Sequence, residues 1–291
     1  MGDITVIGLG LMGAALATAF QKAGHKLVVW NRTAAKCQPF RDAGAIAAPD
    51  IASALAATPI TIVCIDDYPG SRTLLSAAAT NGDLAGKTIV QLSTGTPDEA
   101  RQAHAWMQAR GAAYLDGAIL SGPSGIGTNR AQILLSGDLS AWEAHATLLS
   151  CLGGTVRYEA GDSGAASALD LAWLTVSYGS FTAIAHACMI CSSEQIGIDR
   201  FIDLFPGDRK VSNLAGVIRD NAFEERTATL SVWKKALQSI QEQARNAAID
   251  AEFPDFVAGL LDRAEKAGHG DENVMAMIKV MTGKSCPAGL R

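Results

Sequence analysis

The 291 residues of the chain are about twice the length of a typical domain, so we expect two domains. A formal charge of −5 provides no basic surface for nucleic acid or an anionic membrane, and neither partner is expected. The six cysteines are scattered, which suits reduced thiols in a cytoplasmic protein without a metal site: Cys37, Cys64, Cys151, Cys188, Cys191 and Cys286.

The first predicted elements are a strand, a tight turn and a helix. The strand Ile4–Ile7 leads into the sequence GLGLMG at residues 8–13, and an alanine-rich helix follows until Gly24. Because the strand begins so early, no signal peptide is expected. In such a turn the first glycine permits the tight bend, the second admits the pyrophosphate of a dinucleotide, and the third lets the helix pack on the sheet. The alternative is a glycine-rich turn without a ligand. We predict that the whole turn contacts a cofactor, at Gly8, Leu9, Gly10, Leu11, Met12 and Gly13.

The residues after the second predicted strand, Lys26–Trp30, indicate which dinucleotide binds. An NAD-selective site usually places an acidic residue there. This chain instead has Asn31, Arg32 and Thr33, with Lys36 one turn later. A guanidinium, a hydroxyl and an ammonium suit a 2′-phosphate, so we predict NADPH as the cofactor. The alternative is that the two cationic residues belong to an ordinary solvated helix start.

Two more strands are predicted at Thr61–Ile65 and Thr88–Leu92, with helical segments between the strands. Strands separated by helices of this length predict a doubly wound, mostly parallel α/β sheet, the Rossmann arrangement. Ile65 and Thr94, at and just beyond the ends of these two strands, complete the predicted cofactor contacts.

Two later helix starts match the spacing of a capping box. Thr96 is followed by Pro97 and Glu99, and Ser140 is followed by Glu143. Such a start satisfies two of the free N–H groups at the beginning of a helix. We predict that helices begin at both places.

After Gly161 helical periodicity replaces the strand patterns. We therefore predict an NADP-binding Rossmann domain of residues 1–160, followed by an all-α substrate and dimerisation domain of residues 161–291 that is reached through a long interdomain helix. The candidate helices span about 163–192, 211–222, 228–249, 253–267 and 272–283.

The stretch Gly164–Ser192 is nearly all apolar and long enough to span a bilayer. It contains Asp170 and His186, and no lysine or arginine occurs between Tyr158 and Asp199 to anchor it at a membrane surface. We interpret it instead as a helix buried between domains or subunits. Because the later helices are too short to cover it, we predict a homodimer with the active site at the subunit interface.

Four segments of the chain resemble the β-hydroxyacid dehydrogenase superfamily, which has a 6-phosphogluconate dehydrogenase-like fold. They are GLGLMG at 8–13, NRT at 31–33, STGTP at 93–97 and DGAILSGP at 116–123. The resemblance implies a catalytic lysine early in the long helix and a Ser-Gly-Gly that binds a substrate carboxylate. Aligned on Gly164, this chain has Ala168 at the lysine position, and Pro123, which lacks an N–H, replaces the last glycine.

The start of the long helix is more similar to the imine reductase and reductive aminase branch of that superfamily. The sequence DSGAASALD at 162–170 places Asp170 at the position of the branch's catalytic aspartate. Tyr178, eight residues later, stands where reductive aminases carry a tyrosine. Thr94 replaces an asparagine that many reductive aminases have before Gly95. The resemblance therefore implies reduction of a C=N bond, with Asp170 and Tyr178 as catalytic residues.

The chemistry of imine reduction suits an acidic residue in place of a lysine. Hydride moves to carbon while nitrogen must be protonated, so the reacting species is usually a cationic iminium. A lysine would repel that cation, whereas ionised Asp170 would attract it and protonated Asp170 could supply the proton. An apolar neighbourhood is expected to raise the pKa of Asp170 towards the operating pH. The alternatives are a buried structural carboxylate at Asp170 and mere packing at Tyr178.

We predict that the substrate is a small cyclic imine or iminium ion. Two other functions remain open at this point: a β-hydroxyacid or semialdehyde dehydrogenase with a different acid, and a non-catalytic NADPH-binding protein. Trp233 is expected to reach the partner's site in a dimer. The predicted substrate pocket comprises Thr94, Ser121, Trp173, Leu174, Ser177, Phe181 and Trp233.

Overall fold

The computed structural model describes residues 2–78, 84–225 and 228–281, and the chain divides into two compact units, Met1–Leu171 and Ala172–Arg291. The predicted domain boundary lies at residue 160. The first unit extends further because the beginning of the long helix packs on the sheet, where Ala166 contacts Ala118 and Leu134. Cys286 and the end of the last predicted helix lie outside the described residues.

An eight-stranded sheet forms the centre of the first unit. Its spatial order is β3-β2-β1-β4-β5-β6-β7-β8, and all neighbouring strands are parallel except the antiparallel pair β6 and β7. The mostly parallel, doubly wound sheet is therefore confirmed. The strands are β1 Ile4–Ile7, β2 Leu27–Trp30, β3 Ile46–Ala47, β4 Ile60–Val63, β5 Thr88–Gln91, β6 Ala113–Ile119, β7 Gln132–Gly137 and β8 Thr155–Tyr158.

Helices cover both faces of this sheet, so the central strands β1, β4 and β5 are buried on both sides. Neighbouring residues of one strand belong to opposite cores: Val6 packs with Leu16 and Phe20, whereas Ile7 packs with Val63 and Ile89. This alternation follows from the two-residue period of a strand. The helices are α1 Leu11–Lys22, α2 Gln38–Asp42, α3 Ile51–Ala56, α4 Tyr68–Ala78, α5 Pro97–Gln108, α6 Leu139–Leu149 and the first turns of α7 Ala165–Ser193.

One of the two predicted capping boxes is confirmed and the other is wrong. At the start of α5 the Thr96 hydroxyl accepts the Glu99 N–H at 3.2 Å, and the Glu99 carboxylate accepts the Thr96 N–H at 2.8 Å. Helix α6 begins at Leu139, so Ser140 lies inside its first turn. The preceding Asp138 does not cap α6 with its side chain. Its carboxylate instead accepts the Tyr114 N–H at 2.7 Å, which ties the start of α6 to β6.

The second unit is helical, as predicted. Lys234 on α10 forms ion pairs of 2.6 and 2.7 Å with Asp262 and Glu265, which join it to the end of α11. The last predicted helix, 272–283, is a 3-10 helix at Val274–Val280 in the described part of the chain. Besides the rest of α7, the helices are α8 Ile198–Ile202, α9 Arg209–Arg219, α10 Leu230–Asn246 and α11 Glu252–Ala264.

Among the described helices, α7 alone is long and apolar enough to cross a membrane. Core helices of soluble proteins meet the same criteria of length and composition. Its buried residues include Ala166, Ser167 and Asp170, which belong to the first unit, and Tyr178 and Cys188, which belong to the second.

Candidate active site

The predicted cofactor residues meet at one edge of the sheet. Strands β1, β4 and β5 are parallel neighbours, so the segments that follow their carboxyl ends lie side by side. These segments carry the glycine turn, Ile65 and Thr94. The strand order also reverses between β1 and β4, which is where open α/β sheets bind their ligands.

The glycines of the turn are required by close backbone contacts. Gly8 has a φ of 91°, and a Cβ added there would lie 2.2 Å from the Cys64 carbonyl oxygen. A Cβ on Gly13 would lie 1.9 Å from the Gly8 carbonyl oxygen, so the missing side chain lets α1 approach β1. These contacts agree with the predicted roles of a tight bend at Gly8 and close packing at Gly13.

Gly10 differs from the other two glycines because no atom lies within 4 Å of the position of an added Cβ. It is the N-cap of α1, without a side-chain capping bond and without an acidic residue in the first turn. The N–H groups at this helix end are therefore available to an anion. Leu11 is exposed and Met12 is half-buried. The contact of this turn with a dinucleotide pyrophosphate stays a prediction.

The residues after β2 divide into one that shapes the turn and three that face solvent. The Asn31 side chain accepts the Leu9 N–H at 2.9 Å and donates to the Thr33 carbonyl oxygen at 3.0 Å, so it holds the glycine turn in place. Arg32, Thr33 and Lys36 are exposed. Neither cation forms an ion pair within the described residues, so both remain available to a phosphate.

Ile65 and Thr94 flank the same edge. Ile65 is half-buried, its side chain lies next to Gly8, and its N–H donates to the Ser93 hydroxyl at 3.3 Å. Thr94 is exposed, and Gly95 after it is required because an added Cβ would lie 2.4 Å from the ring of Tyr68. This packing explains why a glycine follows Thr94.

Ser121 lies in the loop after β6, where its hydroxyl donates to the Gly122 carbonyl oxygen at 3.3 Å. A Cβ added to Gly125 would lie 2.1 Å from the same hydroxyl. Pro123 begins a short 3-10 turn there. The predicted substrate contact at Ser121 thus belongs to a tight local turn.

Asp170 is buried in the first unit, with 7% of its surface exposed. No hydrogen bond or ion pair joins its carboxyl group to the described residues. Burial raises the pKa of Asp170 to about 7, and the nearby charge of Asp116 contributes to the increase. A carboxyl group with a pKa in this range can hold a proton at neutral pH and release it during a reaction.

A polar cluster beside Asp170 includes residues that were not among the predicted site residues. Asp116, in the middle of β6, accepts a short hydrogen bond from the Tyr68 hydroxyl. It also accepts the Ser167 hydroxyl at 2.7 Å and the Ser167 N–H at 3.1 Å. All three residues are buried. The detectable indication was a lone carboxylate within an otherwise apolar strand.

Tyr178 lies in the second unit, where its side chain is fully buried. Its hydroxyl donates to the Trp233 carbonyl oxygen at 2.5 Å, and its ring meets the rings of Trp233 and Phe181 edge to face. Trp233 packs against these rings of its own chain, and its expected reach to a partner's site stays a prediction. The hydroxyl proton of Tyr178 is thus donated to the Trp233 carbonyl oxygen. An assisting catalytic role of Tyr178 stays a prediction.

The remaining predicted pocket residues follow α7. Trp173 is half-buried, while Leu174, Ser177 and Phe181 are buried. The Ser177 hydroxyl donates to the Trp173 carbonyl oxygen at 3.1 Å, which satisfies it within the helix. The Ser177 hydroxyl is thus occupied by a backbone hydrogen bond. Trp173, Leu174 and Phe181 have large apolar side chains, and their contact with a substrate stays a prediction.

A Rossmann sheet with a glycine turn at the point of strand reversal, followed by exposed cations after β2, is typical of NADP-dependent oxidoreductases. Comparisons with known proteins agree. A family model described as the NAD binding domain of 6-phosphogluconate dehydrogenase matches residues 3–161. A second, described as the NADPH-dependent reductive aminase-like C-terminal domain, matches residues 162–283.

Individual relatives narrow this class further. The NADPH-dependent reductive aminase of Aspergillus oryzae is 31% identical over 288 residues, which cover 95% of this chain and 96% of that protein. The reductive aminase of Aspergillus terreus, solved with NADPH and ethyl levulinate, is 35% identical, with a TM-score of 0.67 over 97% of this chain and 100% of that chain. The imine reductase of Myxococcus stipitatus, solved with NADP⁺, is 32% identical, with a TM-score of 0.66 over 96% of this chain and 100% of that chain.

This chain therefore belongs to the imine reductase and reductive aminase family. The predicted resemblance, the predicted fold class and the assignment as an oxidoreductase are confirmed. The family is NADPH-dependent by its own description, which confirms the predicted class of cofactor.

Proposed function

We propose that this protein uses NADPH to reduce the C=N bond of a small cyclic imine or iminium ion, with Asp170 supplying the proton to nitrogen. The observation that carries the proposal is the buried carboxyl group of Asp170, whose pKa is raised to about 7 in the unit that also holds the glycine turn. Asp170 lies on α7, and the segment from Tyr158 to Asp199, which contains α7, has no lysine or arginine. The resemblance to β-hydroxyacid dehydrogenases would imply a catalytic lysine there, and this chain has Ala168 at that position.

Bound NADPH would supply the hydride. The residues of this chain would bind and orient the cofactor and would donate the proton. The N–H groups at the start of α1 would bind the pyrophosphate beside Gly10. Arg32 and Lys36 would neutralise a 2′-phosphate. Asp170 would hold a proton near neutral pH and release it to nitrogen, leaving a carboxylate that attracts a cation.

We further propose that the protein acts as a homodimer. Three residues spaced seven apart, Val176, Ala183 and Ile190, form an exposed stripe along the second-unit part of α7. Residues at this spacing share one face of a helix. Val176 and Ile190 are 64% and 56% exposed, and a second copy of the chain would cover this apolar face.

The test of the proposed reaction is NADPH oxidation by the purified protein with 3,4-dihydroisoquinoline or a pyrroline. The same preparation is assayed with 3-hydroxyisobutyrate and either NADP⁺ or NAD⁺, and with a ketone plus an amine. We expect turnover of the imine and none of the hydroxy acid.

Each other result has a definite meaning. Turnover of the hydroxy acid alone would contradict the proposal and require a different base in the lysine-free helix. Tight NADPH binding without turnover of any substrate would indicate a non-catalytic NADPH-binding protein. Turnover with the ketone and amine pair would extend the activity to reductive amination despite Thr94 standing before Gly95.

A further inference from the structure

We propose that Asp116 and Asp170 form a buried carboxyl pair that shares one proton, in which Asp116 remains the anion and thereby keeps the proton on Asp170. The inference rests on the proposed function, because it assigns the two roles that imine reduction requires to two different groups. Asp116 acts as a positioning residue for the proton, and Asp170 delivers it.

The hydrogen bonds of Asp116 favour its ionised form. Both of its carboxylate oxygens accept hydrogen bonds. One accepts from the Tyr68 hydroxyl, and the other accepts from the hydroxyl and the N–H of Ser167. Donors of this kind stabilise a carboxylate more than a neutral acid. Burial alone raises the pKa of Asp116, and these donors limit the rise, so that its pKa is about 6.

Asp170 has the opposite environment. It lies three residues after Ser167 on α7, so the two side chains share a helix face, and Ser167 places that face against Asp116. No described residue donates a hydrogen bond to the Asp170 carboxyl group. Burial and the Asp116 charge both disfavour its ionised form, which gives Asp170 the higher pKa of the two, about 7.

The other titratable groups around the pair do not compete for this proton. Burial raises the pKa of the Tyr68 and Tyr114 hydroxyls well above the usual range for tyrosine, so both stay neutral. The Glu99 carboxylate is engaged with the start of α5 through Thr96. Among the described residues no lysine or arginine forms an ion pair with Asp116 or Asp170.

This division of roles balances the proposed reaction. The imine nitrogen gains the proton as the O–H bond of Asp170 breaks, and the imine carbon gains hydride as NADPH becomes NADP⁺. The pair is then doubly anionic, which is unfavourable at close range in a buried site. Asp170 consequently regains a proton from solvent, and the cluster returns to its starting state.

The test is a pH titration of Asp170 in the whole protein. The titration is monitored by ¹³C NMR of protein labelled at the aspartate side-chain carboxyl carbons. Loss of one resonance in Asp170→Asn assigns the signal. In Asp116→Asn the like charge is removed while the shape is kept, and we expect the pKa of Asp170 to fall by about one unit. Asp98→Asn is the matched control, because Asp98 is exposed on α5 and its loss is expected to leave the titration of Asp170 unchanged.

Tyr68→Phe provides a second route if Asp116→Asn does not fold. It keeps both carboxyl groups but removes one donor to Asp116, so the pKa of Asp116 rises and the shared proton moves away from Asp170. The apparent pKa of Asp170 is then expected to fall as well. An unchanged titration of Asp170 in Asp116→Asn, or in Tyr68→Phe where only that variant folds, overturns the inference.

The pH dependence of imine reduction separates this inference from the proposed function. Because protonated Asp170 is required, kcat/KM falls as pH rises through its pKa. In Asp116→Asn this decline is expected about one unit lower, which makes the variant about tenfold slower than the unmodified protein at pH 8 and nearly equal at pH 5. A shifted titration with an unshifted rate profile would support the pair and contradict proton delivery by Asp170.

Discussion

Asp162 and Asp170 show how the surroundings of a carboxyl group determine what it can do. Both lie near the start of α7. Asp162 is exposed, accepts the Gly164 N–H at 2.6 Å and pairs with Arg101, and these contacts lower its pKa. Asp170 is buried without such donors, and its pKa is raised to about 7. Of the two, only Asp170 can exchange a proton near neutral pH.

Replacement of Asp170 by asparagine is expected to reduce imine turnover by about 100-fold or more, the usual effect of removing a general acid. NADPH affinity is expected to remain, because no hydrogen bond links Asp170 to the glycine turn in the described residues. Steady-state kinetics and fluorescence titration with NADPH measure the two quantities. Asp162→Asn is the control and should keep most of the activity. Turnover close to that of the unmodified protein in Asp170→Asn would remove Asp170 from the mechanism.

The choice between NADPH and NADH is expected to depend on Arg32. Arg32→Glu replaces an exposed cation with an anion and should weaken NADPH binding by about tenfold or more, while NADH binding changes little. Dissociation constants for both cofactors provide the measurement. Arg41→Glu, an equal charge change at an exposed position of α2, controls for net charge. An unchanged preference for NADPH in Arg32→Glu would contradict the assignment of the 2′-phosphate site.

At the scale of elements, the turn between β1 and α1 contains glycines with different structural roles. Gly8 and Gly13 are needed for the chain itself, because added Cβ atoms would meet backbone oxygens at 2.2 and 1.9 Å. Gly10 has no such neighbour and an ordinary negative φ of −67°. The fold therefore does not require a glycine at this position, and its predicted role is the approach of a dinucleotide.

Alanine substitutions at these positions are expected to have opposite effects. Gly13→Ala should lower the free energy of unfolding by about 1–3 kcal/mol, because α1 must shift away from β1. Gly10→Ala should leave the free energy of unfolding nearly unchanged and weaken NADPH binding by about tenfold, because the methyl group occupies the space for the pyrophosphate. Urea unfolding and NADPH titration distinguish the two. Equal NADPH affinity in Gly10→Ala would place the pyrophosphate elsewhere.

At the scale of the whole molecule, the main question is what covers the exposed face of α7. The face has apolar residues at seven-residue intervals, whereas the opposite side of the same helix is buried. Removing apolar surface from water contributes about 25 cal/mol per Å², so a row of such residues favours association. A symmetric dimer would place the same face of both copies together.

Val176→Glu is expected to shift the protein from dimer towards monomer, because a carboxylate would be buried in the interface. Analytical ultracentrifugation over a range of protein concentrations measures the shift. Ile46→Glu is the matched control: Ile46 is 58% exposed on the edge strand β3 of the first unit. The proposed dimer face would be contradicted if the unmodified protein were a monomer. It would also be contradicted if both variants self-associated as strongly as the unmodified protein.

The sequence by itself determined the features that depend on neighbouring residues. These are the strand, glycine turn and helix at the start of the chain, the cations after β2, the capping box at Thr96, and an aspartate where related dehydrogenases have lysine. Each depends on contacts a few residues apart or on side-chain identity alone. The family and the cofactor class could therefore be predicted before the fold was known.

The tertiary structure decided what depends on residues distant in the chain. Asp116 meets Tyr68 and Ser167 across 48 and 51 residues, and the Tyr178 hydroxyl reaches Trp233 across 55. The capping box at Ser140 was mispredicted because α6 begins one residue earlier, at Leu139, after Asp138, whose carboxylate bonds to β6. The approach of Asp116 to Asp170 exists only after the sheet and α7 pack together, and no local sequence pattern encodes it.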